Sequence, residues 1–294
     1  MQTLQDLKRS IESAQDLHGV VRTMKTLAAV NIRQYERAVE SLSDYYRAVE
    51  LGLRAVLLRG ESLVRTEMPD QTLVLVFGSD QGMAGRFNEI VADFAIRTVA
   101  EERIDHDATT FWAVGMRAAN AIQDRFGGPE KTFPLPSSVD FIADSVQEIV
   151  LRFERHRHER GESRLLLCSN APSSGTTYSQ RRMFLLPPDR EWLEEIERKP
   201  WSAKGLPLFT LAREELFSTL IREYLFVSLF RSFASSLAAE NAARLAAMQR
   251  AESNIQERKD DLSARYHSAR QSLITEELLD VISGFEALKE DDSN

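Results

Sequence analysis

The stretch that decides the fold lies near the end of the chain and reads Ala269-Arg270-Gln271-Ser272-Leu273-Ile274-Thr275-Glu276-Glu277-Leu278-Leu279-Asp280-Val281-Ile282-Ser283-Gly284. It belongs to a longer segment, 209–288, that contains no proline and only one glycine, Gly284. Proline costs a helix interior about 3 kcal/mol and glycine about 1 kcal/mol, so the segment is predicted to be one uninterrupted helix. Such a helix would reach about 120 Å, roughly twice the width of a compact domain of this size. We therefore expect much of it to project from the body and to pair with another helix.

The amino-terminal segment offers that second helix. Residues 3–58 carry apolar side chains at alternating steps of three and four, the pattern of a coiled-coil seam. The seam residues are Leu4, Leu7, Ile11, Ala14, Leu17, Val21, Met24, Ala28, Ile32, Tyr35, Val39, Leu42, Tyr46, Val49, Leu53 and Val56. Between residues 17 and 35 the only full charges are Arg22, Lys25 and Arg33. This basic band fits an acidic partner or an ordinary solvated face, and charge alone does not decide between them.

The middle of the chain alternates predicted strands and helices. Strands are predicted at 73–77, 109–114, 165–169 and 177–186, and helices at about 88–103, 115–126 and 138–158. This alternation predicts a mostly parallel sheet covered by helices, with one antiparallel edge strand. The prolines of 187–208 predict a poorly structured crossover into the last helix.

The predicted fold class is therefore α/β, with a long antiparallel coiled coil of the N- and C-terminal helices plus a central Rossmann-like α/β domain. The predicted parts are an N-terminal coiled-coil helix (1–68), the α/β domain (69–208), a C-terminal coiled-coil helix (209–290) and a short tail (291–294).

Composition excludes several classes of protein. The chain has 294 residues and a net charge of −8, which argues against a general nucleic-acid binder. Cys168 is the only cysteine, so disulfides within the chain and cysteine-based zinc sites are excluded. We see no signal peptide and no apolar run approaching the ~20 residues that span a bilayer, so a soluble protein of a reducing compartment is expected.

A glycine-rich loop, Gly78–Asn88, follows the first predicted strand and includes Asp80, Gly82 and Gly85. A strand, such a loop and a helix can hold a phosphate on backbone N–H groups. The glycines are spaced four and three apart, however, which matches neither the dinucleotide-binding pattern nor a P-loop. The loop therefore predicts a tight turn, with nucleotide or phosphate binding as the minor alternative.

No catalytic set emerges from the remaining residues. His156 and His158 are two apart on a predicted helix and so point away from each other. Cys168 in an apolar strand is predicted to be an inert core thiol. We predict no catalytic, cofactor-binding or metal-binding residue.

Read together, the two ends of the chain resemble the gamma subunit of the rotary, F-type ATP synthases, over nearly the whole chain. The most specific residues are Asp261-Leu262, Tyr266, Ala269-Arg270-Gln271, Ile274-Thr275, Glu277-Leu278 and Ser283-Gly284, which are similar to the family's C-terminal signature. Thr23-Met24-Lys25-Thr26-Leu27-Ala28-Ala29 is similar to the family's methionine-lysine-x-x-alanine-alanine segment. Ser79-Asp80-Gln81-Gly82-Met83-Ala84-Gly85 sits where the family usually has serine-aspartate-x-glycine-leucine-cysteine-glycine.

The departures from these patterns include Met83-Ala84, Arg86, Val30-Asn31 and Phe285. They suggest a divergent branch, such as the alternate ATPase of some bacteria that moves sodium. The coupling ion itself is chosen in the membrane ring and not in this chain.

The resemblance implies a non-catalytic central rotor that couples ion flow to ATP synthesis or hydrolysis. Its implied partners are the ring of three alpha and three beta subunits, the epsilon subunit and the membrane c-ring, on the cytoplasmic face of the inner membrane. It implies that Arg270, Gln271 and Thr275 hydrogen-bond a beta-subunit loop, and that Met24 and Lys25 lie near an acidic region of a beta subunit. The α/β domain would be the foot.

Two alternatives from other classes are a freestanding α/β nucleotide- or phosphate-binding enzyme with a dimerising coiled coil, and a pure coiled-coil scaffold.

Overall fold

Three helices form the two ends of the chain in the computed structural model, which describes residues 3–58, 69–173, 177–199, 201, 205 and 207–291. They are α1 (Leu4–Ser41), α2 (Ser43–Leu57) and the 79-residue α7 (Arg213–Asp291). The single helix predicted over 3–58 is wrong at Leu42, where the backbone leaves helical geometry (φ −90°, ψ 1°). Serines flank this position, and the Ser41 hydroxyl donates to the carbonyl of Ala38 at 2.9 Å. Such side-chain bonds compete with the helix ladder.

A five-stranded sheet with the order β3-β2-β1-β4-β5 lies between the helical ends. The strands are β1 (Gln71–Phe77), β2 (Thr109–Val114), β3 (Lys131–Phe133), β4 (Ser163–Pro172) and β5 (Tyr178–Leu186). The first four run parallel, and β5 is an antiparallel edge strand beside β4. This arrangement confirms the predicted α/β class with its Rossmann-like sheet.

Helices cover both faces of the sheet. They are α3 (Phe87–Glu101), α4 (Met116–Phe126) and α5 (Ile142–Arg160). On one face Val74, Val76 and Phe111 pack with residues of α3 and α4. On the other face Leu73 and Leu75 pack with residues of α5, α1 and α7. Because both faces are buried, the strands read as continuous apolar runs rather than as alternating patterns.

Sequence patterns missed two short elements and misplaced one boundary. The strand β3 has only three residues, too few for a periodic signal. A helix α6 (Arg190–Arg198) lies inside the segment predicted to be poorly structured, and Asp189 caps it by accepting from the backbone N–H of Glu191 at 2.9 Å. The third predicted helix begins as a 3-10 turn at Val139–Phe141 before α5.

The chain divides into two compact units, one of residues 28–246 and one that joins 1–27 to 247–294. The first unit contains the sheet. In the second unit the seam of α1 buries Leu7, Ala14 and Val21. The predicted seam residue Leu17 is 57% exposed, because the step of four from Ala14 brings His18, not Leu17, to the seam.

Candidate partner-binding surfaces

Residues 270–282 of α7, the last whose side chains are described, are exposed at every position. We call this segment the tip surface. Its large apolar side chains are between 44% and 65% exposed, namely Leu273, Ile274, Leu278, Leu279, Val281 and Ile282. Isolated exposed leucines are ordinary, but six within ten residues of one helix form a continuous apolar surface. Exposed apolar surfaces of this kind are typical of sites that bind a partner.

The polar residues predicted for partner contact lie on the same tip surface. Arg270 and Gln271 are exposed, and Arg270 forms no ion pair with another residue in the described part of the chain. The Thr275 hydroxyl donates to the carbonyl of Gln271 at 2.9 Å. A free guanidinium beside apolar side chains is suited to bind a carboxylate through two parallel bonds. Their contact with a beta-subunit loop stays a prediction.

The other predicted contact residues, Met24 and Lys25, lie half-buried on α1. The Lys25 ammonium is bonded to the carboxylate of Glu252 on α7. That hydrogen bond holds the pKa of Glu252 below its usual range, with further help from the positive charges of His18 and Arg22. Lys25 is therefore already paired within the chain, which the sequence did not predict.

The glycine-rich loop places Asp80 between two backbone donors. Its Oδ1 accepts from the N–H of Met116 at 2.7 Å and its Oδ2 from the N–H of Leu135 at 2.8 Å. Met116 is the first residue of α4, so this carboxylate occupies the position where a helix N-terminus would bind an anion. A phosphate at the N-terminus of α4 would therefore meet a negative charge.

Gly82 and Gly85 of this loop occupy positions that suit glycine for different reasons. Gly85 has a left-handed backbone (φ +63°), as does Met83 two residues earlier (φ +65°). Gly82 lies beside Arg117, whose Nη2 would be 3.4 Å from an added Cβ. The turn then brings Phe87 onto α7, where Phe87 and Ala84 pack against two alanines, Ala239 and Ala243. The loop thus joins the sheet to the long helix, in agreement with the tight-turn interpretation.

A buried polar group on α7 was missed by sequence reasoning. Glu240 is 4% exposed, and its carboxylate is paired with the guanidinium of Arg244 one turn later. Burial raises the pKa of Glu240, and the negative charge of Asp80 adds to the effect although Arg244 opposes it. Asn241 accepts from Arg244 at 3.3 Å and from Asn31 of α1 at 3.4 Å. The spacing of Glu240 and Arg244 was the available signal, because residues four apart are neighbours on a helix.

The histidines and the cysteine described in the α/β domain do not form a catalytic site. His156 is buried with its ring edge-on to Trp112, and this burial lowers its pKa, whereas His158 is exposed. Burial raises the pKa of Cys168 to about 12, so its thiol is protonated and unreactive. Among the described residues no three or more His, Cys, Asp or Glu side chains converge to hold a metal ion. No described helix combines the length and the apolar character that crossing a membrane requires.

Comparison with known proteins gives a consistent result. A family model described as ATP synthase matches residues 3–288. The chain is 29% identical to the ATP synthase gamma chain of Salinibacter ruber, over 99% of each chain. It is 25% identical to that of Geobacter metallireducens, over 98% of this chain and 100% of the relative.

Solved structures agree on the fold. The fold resembles that of a chain from the rotor of Euglena gracilis mitochondrial ATP synthase, with a TM-score of 0.60, 16% identity, and coverage of 92% of this chain and 98% of the other. It also resembles a chain from the central stalk and c-ring of Tetrahymena thermophila mitochondrial ATP synthase, with a TM-score of 0.55, 17% identity, and coverage of 79% and 99%.

Proposed function

This chain belongs to the ATP synthase family as a gamma chain, the rotor subunit of the central stalk, and from that premise we propose that it works without a catalytic site of its own. Its partners are the alpha and beta subunits, the epsilon subunit and the c-ring. The ATP synthase complex is the catalytic machine. We place the chain on the cytoplasmic face of the inner membrane, held there through the complex rather than by a helix of its own.

The exposed tip surface carries this proposal. A ring of alpha and beta subunits would cover its six apolar side chains, at roughly 25 cal/mol per Å² of apolar surface removed from water. Arg270 and Gln271 then supply directional bonds to a beta-subunit loop, with Thr275 beside them. Met24 and Lys25 on α1 are proposed to lie against a beta subunit as well.

An asymmetric rod inside a threefold ring explains how such contacts couple to catalysis. At any rotor angle each beta subunit meets a different side of the rod. Contacts that differ between the open and closed states of a site shift the populations of those states. Rotation therefore changes nucleotide affinity at each site in turn. The torque comes from the membrane c-ring and is transmitted through α1 and α7.

We set the freestanding-enzyme alternative aside chiefly because the chain belongs to the ATP synthase family. The crevice at the carboxyl ends of parallel strands is where nucleotides bind in open α/β sheets. Here the loop after β1 presents the carboxylate of Asp80 to the adjacent helix N-terminus, and Phe87 of the same segment packs on α7. The scaffold alternative is set aside by the family membership.

The test is co-purification of the tagged chain from its native cells, with the ATPase activity of the complex and of the chain alone. An active complex containing alpha and beta subunits, together with an inert free chain, supports the proposal. Nucleotide turnover by the solitary chain would overturn it.

The tip contacts are tested by replacing Arg270 and Gln271 with alanine in the same complex. We expect weaker assembly or loss of coupled turnover, because charge-assisted contacts at a covered surface are removed. Arg265→Ala is the matched control, since Arg265 is an exposed arginine of the same helix whose Nη2 pairs with Asp261 at 3.0 Å. Unchanged assembly and turnover in the double variant would remove these residues from the contact surface.

A further inference from the structure

The seam of the second unit, 1–27 with 247–294, carries charged side chains where a coiled coil normally buries apolar ones. On α1 the buried positions alternate with a second, half-buried series: Ile11, His18 and Lys25. On α7 the inward positions advance by steps of four and three: Met248, Glu252, Ile255, Lys259, Leu262 and Tyr266. The perfect heptad spacing places Glu252 within the seam rather than on a solvated face.

Glu252 contacts two seam residues of α1 at once. One of its carboxylate oxygens bonds the Lys25 ammonium, and the other lies 3.8 Å from Nε2 of His18. The side chains of Lys25 and Glu252 are 32% and 25% exposed, so the pair is only partly solvated. We call this arrangement of His18, Lys25 and Glu252 the carboxylate clasp.

The clasp distinguishes one alignment of the two helices from its neighbours. His18 and Lys25 are one heptad apart, which is about 10 Å along a helix, and the carboxylate lies between them. A slip of one heptad would leave the carboxylate beside only one of these two side chains. In one direction it would lie beyond Lys25 and lose His18, and in the other it would lie between Ile11 and His18 and lose Lys25. The apolar seam discriminates less, because the buried positions among the described residues of this unit are few and two of those on α1, Ala14 and Val21, are small. A polar residue at a seam position is a known means of specifying register.

We propose that Lys25 and Glu252 set the register of α1 against α7 in this unit, so that both helices turn as one rod. The proposal rests on the rotor function above. It deepens that function, because the Lys25 ammonium then aligns the two helices of the rotor instead of binding a partner subunit. The predicted contact with a beta subunit is made by Met24 and by the aliphatic stem of Lys25.

The test is charge reversal in the assembled ATP synthase, with Lys25→Glu, Glu252→Lys and the double exchange. We measure ATP-driven ion pumping per ATP hydrolysed. Each single reversal replaces an attraction by a repulsion and should lower this ratio by up to about fivefold, which is the effect of ~1 kcal/mol on the population of the aligned register. The double exchange restores the attraction within the chain and should recover most of the ratio.

Two results would overturn the proposal. If the double exchange pumps no better than Lys25→Glu, the lysine charge is needed by a partner outside the chain. If neither single reversal changes the ratio, the clasp has no role in coupling. The matched control is the Asp261–Arg265 pair, both on α7, whose exchange cannot alter register and should leave the ratio unchanged.

A second readout covers reversals that assemble poorly. Spin labels at the exposed positions 13 and 257, in a complex with the neutral pair Lys25→Met and Glu252→Gln, report the alignment directly. A second label distance is expected there and not in the wild-type chain, because a one-heptad slip moves one label about 10 Å along the helix axis relative to the other. A single unchanged distance would refute the register role. This measurement does not depend on ion pumping, so it separates failure of the clasp from failure of the rotor function, which would appear as a wild-type complex that does not pump.

Discussion

Replacing Asp80 by alanine tests the role of the glycine-rich loop most directly. The carboxylate accepts from the N–H groups of Met116 and Leu135, at 2.7 and 2.8 Å. Each bond contributes about 1 kcal/mol net, and relief of the repulsion between Asp80 and Glu240 offsets a small part. We therefore expect Asp80→Ala to lower the free energy of unfolding by about 2 kcal/mol. Asp80→Asn keeps one acceptor and should cost about half as much.

The assay is chemical denaturation of the purified chain, followed by the fluorescence of its three tryptophans. Asp124→Ala is the control, because Asp124 is exposed on α4 and its carboxylate accepts no hydrogen bond from another described residue. Sulfate should stabilise Asp80→Ala but not the wild-type chain, because only in the variant is the N-terminus of α4 free to bind an anion. The reasoning fails if Asp80→Ala is no more destabilising than Asp124→Ala.

Two further predictions concern the same unit. Gly115→Ala should lower the free energy of unfolding by roughly 3 kcal/mol or more, because at a φ of +96° an added Cβ would lie 2.6 Å from the backbone carbon of Ser79. Gly127→Ala is the control: its φ is +93° but nothing lies within 4 Å of the added Cβ, so it should cost only about 1 kcal/mol. Equal losses in chemical denaturation would contradict the steric argument. The raised pKa of Glu240 means that its contribution to stability is fully present below the usual glutamate pKa and is lost as pH rises through the raised value. Glu240→Gln should therefore gain stability relative to the wild-type chain as pH rises through that window, and parallel pH profiles of unfolding free energy would refute the assignment.

The sequence predicted the fold class well because its signals are local. The lack of proline over 209–288 with only one glycine there, the heptad pattern over 3–58, and the alternating strand and helix patterns each depend on neighbouring residues. Errors fell where local signals are weak or compete. The break at Leu42 depends on flanking serines, β3 is too short to be periodic, and the prolines on either side of 190–198 hid α6.

The contact residues were harder to assign. The tip surface could be predicted, because the helix predicted over 209–288 is too long to be covered along its whole length by the rest of the chain. The buried pair of Glu240 and Arg244 was visible only as a spacing, and its burial depends on α1 and the loop that enclose α7.

The sequence by itself determined the long helices, the parallel sheet between them and the family to which they belong. Only the tertiary structure decided which charges meet. Lys25 pairs with Glu252 across 227 positions of sequence, and Asp80 bonds backbone groups 36 and 55 positions away. The physical reason is that secondary structure follows from steric and solvation preferences repeated along a few turns. The partner of a charge, by contrast, is fixed by how elements far apart in the sequence pack together. A short sequence pattern contains no information about that packing.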